Sequence, residues 1–208
     1  MRRLSGHVAC RFNSGEMQRY VAFLSGLPVG PQKVDMETLT NLFRKLGFLN
    51  VETYLTTGNV SFDTAPVGVI QPLEAQISRH LKRSIDAEIW TFIRTPQQLA
   101  TIASNVPFTA DEMPEGRSSV FVVLLSDPLN ERTERRLRVR RNDADVLRPH
   151  GTEIYWLRRA TDDASSKPLS IGEMLDVPAT VRTLGTIKNL ASSWPGPRSA
   201  TASLRSRR

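Results

Sequence analysis

The sequence predicts an α+β protein of two ferredoxin-like halves that pack as one unit. Three observations support this fold class. Apolar residues recur at strand and helix spacings in alternating segments along the body of the chain. In the first half these segments follow the order β-α-β-β-α-β, which is the ferredoxin-like order. The second half repeats most of that order as β-α-β-β-α-α, without a residue-level repeat.

The first half is predicted from its apolar runs and from the residues that bound them. Asp35 is a typical helix N-cap, and Gly47 ends the helical pattern that follows it. The turn residues 56–59 lie between two alternating segments and predict a hairpin. The elements are a strand, a helix, two hairpin strands, a helix and a strand, over residues 19–24, 36–46, 51–55, 60–62, 70–81 and 87–94.

The second half is predicted in the same way. Thr95-Pro96-Gln97-Gln98 forms a capping box with proline at the first helical position, and the helix it starts links the halves. The apolar spacing from Thr180 to Ala191 predicts a last helix, so no closing strand is expected. The elements after the linking helix are a strand, a helix, two strands and two helices, over residues 120–125, 127–141, 146–147, 154–157, 169–175 and 180–191.

These elements divide the chain into five segments. The segments are a leader, the first half, a linking helix with its loop, the second half and a basic tail, over residues 1–16, 17–94, 95–117, 118–192 and 193–208. We predict that the leader and the tail are disordered. Alternatively, the leader reflects a start codon assigned too early, and Met17 rather than Met1 begins the working protein.

The composition argues against several classes of protein. No run approaches the roughly 18 apolar residues of a membrane span. The only cysteine is Cys10, in the leader, so we expect neither a disulfide framework nor a catalytic thiolate. His7, His80 and His150 lack metal-ligand spacing, so we predict no metal and no cofactor. These features favour a cytoplasmic protein.

The formal net charge of +7 comes from the ends of the chain. The leader and residues 195–208 hold seven basic residues and one acidic residue, so residues 17–194 have a net charge of only +1. A nearly neutral body does not favour a nucleic-acid surface. Nucleic-acid binding is therefore the weakest of the functions considered, and it would be limited to non-specific contacts through the tails.

The arginine-rich helix over residues 127–141 has two interpretations. Glu131 and Arg135 have the i, i+4 spacing of a helical ion pair, as do Glu134 and Arg138, and such pairs are typical of a solvated face. Three further arginines remain one turn apart: Arg132, Arg136 and Arg140. These three could contact an acidic partner or a phosphate. The helix therefore supports an interaction module as an alternative function.

One loop and one helix carry candidate binding residues. Backbone amides between Gly26 and Gly30 could approach an anion, although the same glycines also suit a plain turn. Arg182 and Thr186 share a face of the predicted last helix, and a guanidinium beside a hydroxyl suits a carboxylate or phosphate. Alternatively, Arg182 reaches carbonyl groups or an acid and fixes its own helix in place.

A series of short motifs runs through residues 17–192. They are Ser25-Gly26-Leu27-Pro28-Val29-Gly30, Leu46-Gly47-Phe48, Thr57-Gly58-Asn59-Val60, Arg94-Thr95, Asn105-Val106-Pro107-Phe108, Glu153-Ile154-Tyr155, Ser166-Lys167 and Thr180-Val181-Arg182. In this order they resemble the bacterial family called domain of unknown function 1697 (DUF1697). The resemblance implies paired ferredoxin-like halves in a cytoplasmic bacterial protein, and it implies no activity.

Several polar positions depart from the family pattern. Ser25, Pro28 and Pro31 stand where the family has arginine, asparagine and glycine. Thr183 and Leu184 stand where it has asparagine and tryptophan. If those family residues form a shared site, this chain has lost a guanidinium and two amides from it.

We expect a pocket between the halves that binds a small ligand bearing a phosphate or a carboxylate. Arg182 would pair with the anion, Lys167 would add charge, and Asn59 with the loop amides would orient the ligand. The candidate binding residues are Gly26, Gly30, Thr57, Asn59, Lys167, Arg182 and Thr186. No nucleophile or general base stands out, so the sequence assigns no reaction, and it does not predict an oligomeric state.

Overall fold

The computed structural model describes residues 17–28, 33–54, 58–139, 144–160 and 170–193. The predicted leader and all but the first residue of the predicted tail lie outside these ranges. The strands are β1 Gln18–Ser25, β2 Leu49–Tyr54, β3 Asn59–Thr64, β4 Trp90–Arg94, β5 Ser118–Leu125, β6 Asp145–His150, β7 Glu153–Arg159 and β8 Ala179–Thr183. The helices are α1 Met36–Lys45, α2 Gln71–Ile85, α3 Pro96–Ser104, α4 Glu131–Val139 and α5 Leu184–Ser193, with a 3-10 helix at Ile171–Met174.

The described strands form two four-stranded antiparallel sheets with the same strand order. The first sheet has the order β2-β3-β1-β4, and the second has the order β6-β7-β5-β8. In each sheet the first strand of the half lies between the third and the fourth strands of that half. The predicted fold class, α+β with two similar halves, is therefore confirmed.

The end of the second half differs from the prediction. The single helix expected over residues 180–191 is the strand β8 followed directly by α5, so the second sheet does have a closing strand. Thr180 and Val181 are β-branched and fit a strand, and β8 pairs with β5 over five residues. The helix starts only at Leu184, because Thr183 accepts a hydrogen bond from the Thr186 N–H and caps it.

Two predicted helix starts are confirmed in atomic detail. Asp35 accepts a hydrogen bond from the Thr38 N–H at 2.7 Å and caps α1. Thr95 and Gln98 form the reciprocal capping box at the start of α3. The arginine-rich helix α4 begins at Glu131, later than predicted, because Asn130 rather than Asp127 accepts from the first turn.

Side chains alternate between two faces of each sheet, and this alternation builds three apolar layers. In β1, Ala22 and Leu24 pack under α1 and α2, whereas Val21 and Phe23 face the second sheet. The central layer joins Val21 and Phe23 to the inner face of the second sheet and to α3 and α5. A third layer lies on the outer face of the second sheet. The shared central layer explains why the halves pack as one unit.

No helix in the described part of the chain is both long and apolar enough to cross a membrane.

Candidate functional site

A cavity of about 330 Å³ lies between the end of β1, the segment before α1 and strand β8. One side of its wall is apolar and is formed by Leu24, Leu27, Pro28, Val34 and Met36. The polar part of the wall combines groups from both halves, Ser25, Gly26 and Lys33 from the first and Thr180 and Arg182 from the second. The cavity is therefore a joint property of the two halves.

Arg182 reaches from β8 into the first half. Its Nε donates to Asn59 Oδ1 at 2.7 Å, and its Nη2 donates to the Leu24 carbonyl oxygen at 2.9 Å. Its Nη1 donates to Thr180 Oγ1 and to the Val181 carbonyl oxygen, both at 2.8 Å. The guanidinium also lies 5.6 Å from the centre of the Phe23 ring. These contacts fix the side chain in one orientation.

Burial changes the proton equilibrium of Arg182. Removal from water disfavours the charged form and lowers the pKa of this guanidinium to about 10. The side chain still carries its positive charge at neutral pH. It therefore presents a fixed cation at the edge of a partly apolar cavity.

Asn59 holds the other end of this arrangement. It is fully buried, and its Nδ2 donates to the Tyr54 carbonyl oxygen at 3.1 Å while its Oδ1 accepts from Arg182. The preceding Gly58 has φ +74°, and a Cβ there would lie 2.6 Å from Leu27 Cδ1. The left-handed conformation favours glycine at this position, and a larger residue would also displace the Leu27 side chain.

Gly26 is required by packing as well as by conformation. It has φ +83°, and a Cβ there would lie 2.2 Å from the Glu88 carbonyl oxygen. The interpretation of this glycine as a turn residue therefore accounts for it without a ligand. It nevertheless lines the cavity.

The seven predicted site residues divide into three groups. Gly26, Asn59 and Arg182 lie together at the cavity or directly beside it. Thr186 does not line the cavity, because it lies in the first turn of α5, where its Oγ1 is 3.0 Å from Thr183 Oγ1. The remaining three lie outside the described residues, and they are Gly30, Thr57 and Lys167.

A family model described as "Protein of unknown function (DUF1697)" matches residues 17–155. The chain belongs to the DUF1697 family. No curated protein matches it. The conserved bacterial protein SP0830 from Streptococcus pneumoniae has a similar structure, with a TM-score of 0.60, 20% sequence identity, and coverage of 85% of this chain and 98% of that chain. At this identity the similarity concerns the fold alone.

Sequence reasoning missed three polar groups of the cavity in this DUF1697 protein, those of Ser25, Lys33 and Thr180. Lys33 lies in the segment before α1, and its exposed side chain brings a second cation to the cavity. The sequence predicts a helix that starts at Thr180, but Thr180 lies in β8, where its hydroxyl accepts from Arg182 and lines the cavity. The β-branched residues of β8 were the signal that could have identified a strand.

A second arginine joins the halves with the same atoms as Arg182. Arg94, at the end of β4, donates from Nη2 to the Leu125 carbonyl oxygen at 3.1 Å and from Nη1 to the Ile93 carbonyl oxygen at 2.8 Å. Its Nε donates to Glu153 Oε1 at 2.9 Å, and Nη2 also donates to the Thr152 carbonyl oxygen. Arg94 is only 5% exposed.

The two arginines occupy equivalent places in the two halves. Each lies on the closing strand, bonds the carbonyl oxygen of the preceding residue and reaches the first strand of the other half. Glu153 begins β7 as Asn59 begins β3, so a carboxylate and an amide occupy matching positions. The two halves therefore repeat these contacts at their boundary, although their sequences show no residue-level repeat.

The described lining of the cavity supplies positive charge and hydroxyl groups. This described lining contains two cationic side chains and two hydroxyls, and it contains no histidine, cysteine or carboxylate. A general base or an activated nucleophile needs such a group within hydrogen-bond reach. Elsewhere in the described residues, no cluster of three or more histidine, cysteine or acidic side chains could hold a metal ion.

Proposed function

We propose that this DUF1697 protein binds a small organic anion, bearing a carboxylate or a phosphate, in the cavity between its halves. The observation that carries the proposal is the position of Arg182, a partly buried and charged guanidinium fixed at the cavity wall with Lys33 on the opposite half. A cation in a partly desolvated wall is stabilised by an anion more strongly than the same cation in water.

The chemistry of the wall narrows the class of ligand. The positive charge of Arg182 and Lys33 and the Thr180 hydroxyl suit an anionic head group, whereas the five apolar side chains of the wall suit a hydrocarbon body. A volume of about 330 Å³ is at the lower end of the range for ligand sites. We therefore favour a small amphipathic anion over a nucleotide or an inorganic ion.

The test measures ligand binding by the wild type and by a Lys33 variant. Lys33 is chosen because it is exposed, so its replacement should not disturb the fold. Thermal shift and calorimetry would compare benzoate, hexanoate and phenyl phosphate with acetate and inorganic phosphate, and with neutral benzamide. We expect the amphipathic anions to stabilise the protein most and benzamide to have no effect. Lys33→Gln should weaken binding about three- to tenfold.

Lys45→Gln is the matched control, since Lys45 is also an exposed lysine near α1 but does not line the cavity. Its affinity should equal that of the wild type. Equal binding of benzamide and benzoate would show that the cavity does not recognise charge. Equal losses in the Lys33 and Lys45 variants would show that the anion binds elsewhere.

We also propose that the protein acts in the bacterial cytoplasm. The support is the resemblance stated above and the presence of one cysteine in the whole sequence. Cell fractionation followed by immunoblotting tests this, and recovery in the periplasmic fraction would contradict it.

A further inference from the structure

We infer that α2 carries a second anion site, which takes the phosphate group of a small molecule. This site goes beyond the proposed function and lies on the outer helical layer of the first half. It is a cavity of about 270 Å³ between the end of α1 and the side of α2, lined by Leu46, Gln76, Arg79, His80 and Arg83.

The four polar members of this α2 site share one side of the helix. Gln76, Arg79, His80 and Arg83 have the spacing i, i+3, i+4 and i+7, so their side chains project side by side. The buried face of α2 is formed by other residues, among them Leu73, Ile77 and Leu81. The polar side is therefore not needed to attach the helix to its sheet.

No described carboxylate compensates the charges of the α2 site. Neither Arg79 nor Arg83 forms an ion pair with any described carboxylate, and the single contact of Arg79 is a 3.5 Å hydrogen bond from Nε to the Ala75 carbonyl oxygen. The two arginines are four residues apart, so they repel each other along the helix. A bound anion would remove that repulsion.

The arginines of α4 show how a merely solvated helix face is arranged. In α4, Arg135 and Arg138 each pair with a glutamate four residues earlier. In α2 the residue four before Arg79 is Ala75, and the residue four before Arg83 is Arg79. The α2 side therefore has the arginines of a solvated face without the acids that usually accompany them.

His80 places a reporter group at the wall of the α2 site. Its Nε2 is out of contact with solvent, so the ring lines the cavity through its other atoms. A phosphate in the cavity would accept hydrogen bonds from the two guanidinium groups and would lie beside the imidazole ring.

The experiment follows the imidazole nitrogens of the full chain by ¹H–¹⁵N correlation NMR during titration with inorganic phosphate. Chloride at matched ionic strength and pH serves as the reference, because screening alone affects exposed charges. We expect a saturable shift of the His80 nitrogens and no shift of His150. Arg83→Gln and Arg79→Gln should each weaken the phosphate affinity about fivefold.

Lys188→Gln, at an exposed position of α5, serves as the charge-matched control and should leave the phosphate affinity unchanged, as should Lys33→Gln, which separates this site from the cavity between the halves. A His80 shift that is linear in phosphate, or that is the same in both arginine variants, would overturn the assignment. A shift caused by a short oligodeoxynucleotide at concentrations where phosphate has no effect would also overturn it.

Discussion

Arg94 and Arg182 make the same three kinds of contact at the boundary between the halves, yet their surroundings differ. Arg94 Nε meets the carboxylate of Glu153, whereas Arg182 Nε meets the amide oxygen of Asn59. Arg182 lines a cavity that Lys33 also lines, and Arg94 does not line that cavity. Arg94 is thus paired with a carboxylate at a structural link, whereas Arg182 forms a similar link that also lines a cavity.

The two halves therefore share an architecture but differ in chemistry at the partner of this arginine, a carboxylate in one case and an amide in the other. The backbone acceptors are the same in both places, namely the carbonyl oxygen of the preceding residue and that of the first strand of the other half. The residue that accepts from Nε is the acid Glu153 beside Arg94 and the neutral Asn59 beside Arg182, so the charge at the two positions differs. Replacement of each arginine should therefore have a different consequence.

The largest effect should follow from Arg94→Met. The substitution leaves Glu153, whose side chain is 13% exposed, without its cation, and it removes the hydrogen bonds from Arg94 to three carbonyl oxygens. We expect the free energy of unfolding to fall by about 3–5 kcal/mol. Urea denaturation measures this change.

Arg135→Met is the control for Arg94→Met, because Arg135 belongs to an exposed pair on α4. Its cost should be at most about 0.5 kcal/mol. Adding Glu153→Gln to Arg94→Met should restore part of the lost stability. If the double variant is no more stable than the single one, the buried charge of Glu153 is not the cause of the loss.

A smaller loss of stability should follow from Arg182→Met. Its described partners are neutral oxygens, so no anionic partner among them is left buried. We expect the free energy of unfolding to fall by about 1–3 kcal/mol. The same variant should lose benzoate binding at concentrations that saturate the wild type. Retained benzoate binding in a folded Arg182→Met protein would contradict the role given to Arg182 and would leave Arg94 and Arg182 functionally alike.

The prediction of the fold from sequence succeeded where apolar patterns decided the structure. The strands and helices of the first half, the N-cap Asp35 and the capping box at Thr95 follow from local residue chemistry. The prediction was wrong at β8, because a helix-like spacing from Val181 onward competed with the strand pairing of Val181 with Val123. That pairing involves residues far apart in sequence, so no local pattern reveals it.

The candidate site was predictable only in part for the same reason. Arg182 and Asn59 were selected by residue type and by family motif, but their direct hydrogen bond depends on the packing of one half against the other. Lys33 and Thr180 join the cavity through that packing alone. The matching of Glu153 with Asn59 could not be read from the sequence, since the two residue types differ and the intervening segments have no common length.

The smallest expected change in stability concerns a further acidic residue near Arg94. Glu74 on α2 is buried, and its Oε1 accepts from the Ile93 N–H at 2.7 Å, next to Arg94 in the chain. Burial raises the pKa of the Glu74 carboxyl, while the hydrogen bond from Ile93 and the charge of Arg94 act against this. Between the ordinary glutamate pKa and the raised one, the folded protein binds more protons than the unfolded chain. Stability contributed by Glu74 is therefore lost as pH rises through that window.

Glu74→Gln should remove this pH dependence and leave the Ile93 hydrogen bond in place, because the amide oxygen can still accept it. Relative to the wild type, the variant should become progressively more stable as pH rises from about 4 through the window above the ordinary glutamate pKa, with a constant difference beyond it. Urea midpoints measured from acid to neutral pH test the sign. Glu115→Gln, on an exposed loop, should change stability little at every pH. A Glu74→Gln variant that loses stability relative to the wild type as pH rises would mean that the attraction between Glu74 and Arg94 outweighs burial. Arg94 would then be paired with two acids, and its contrast with Arg182 would be larger.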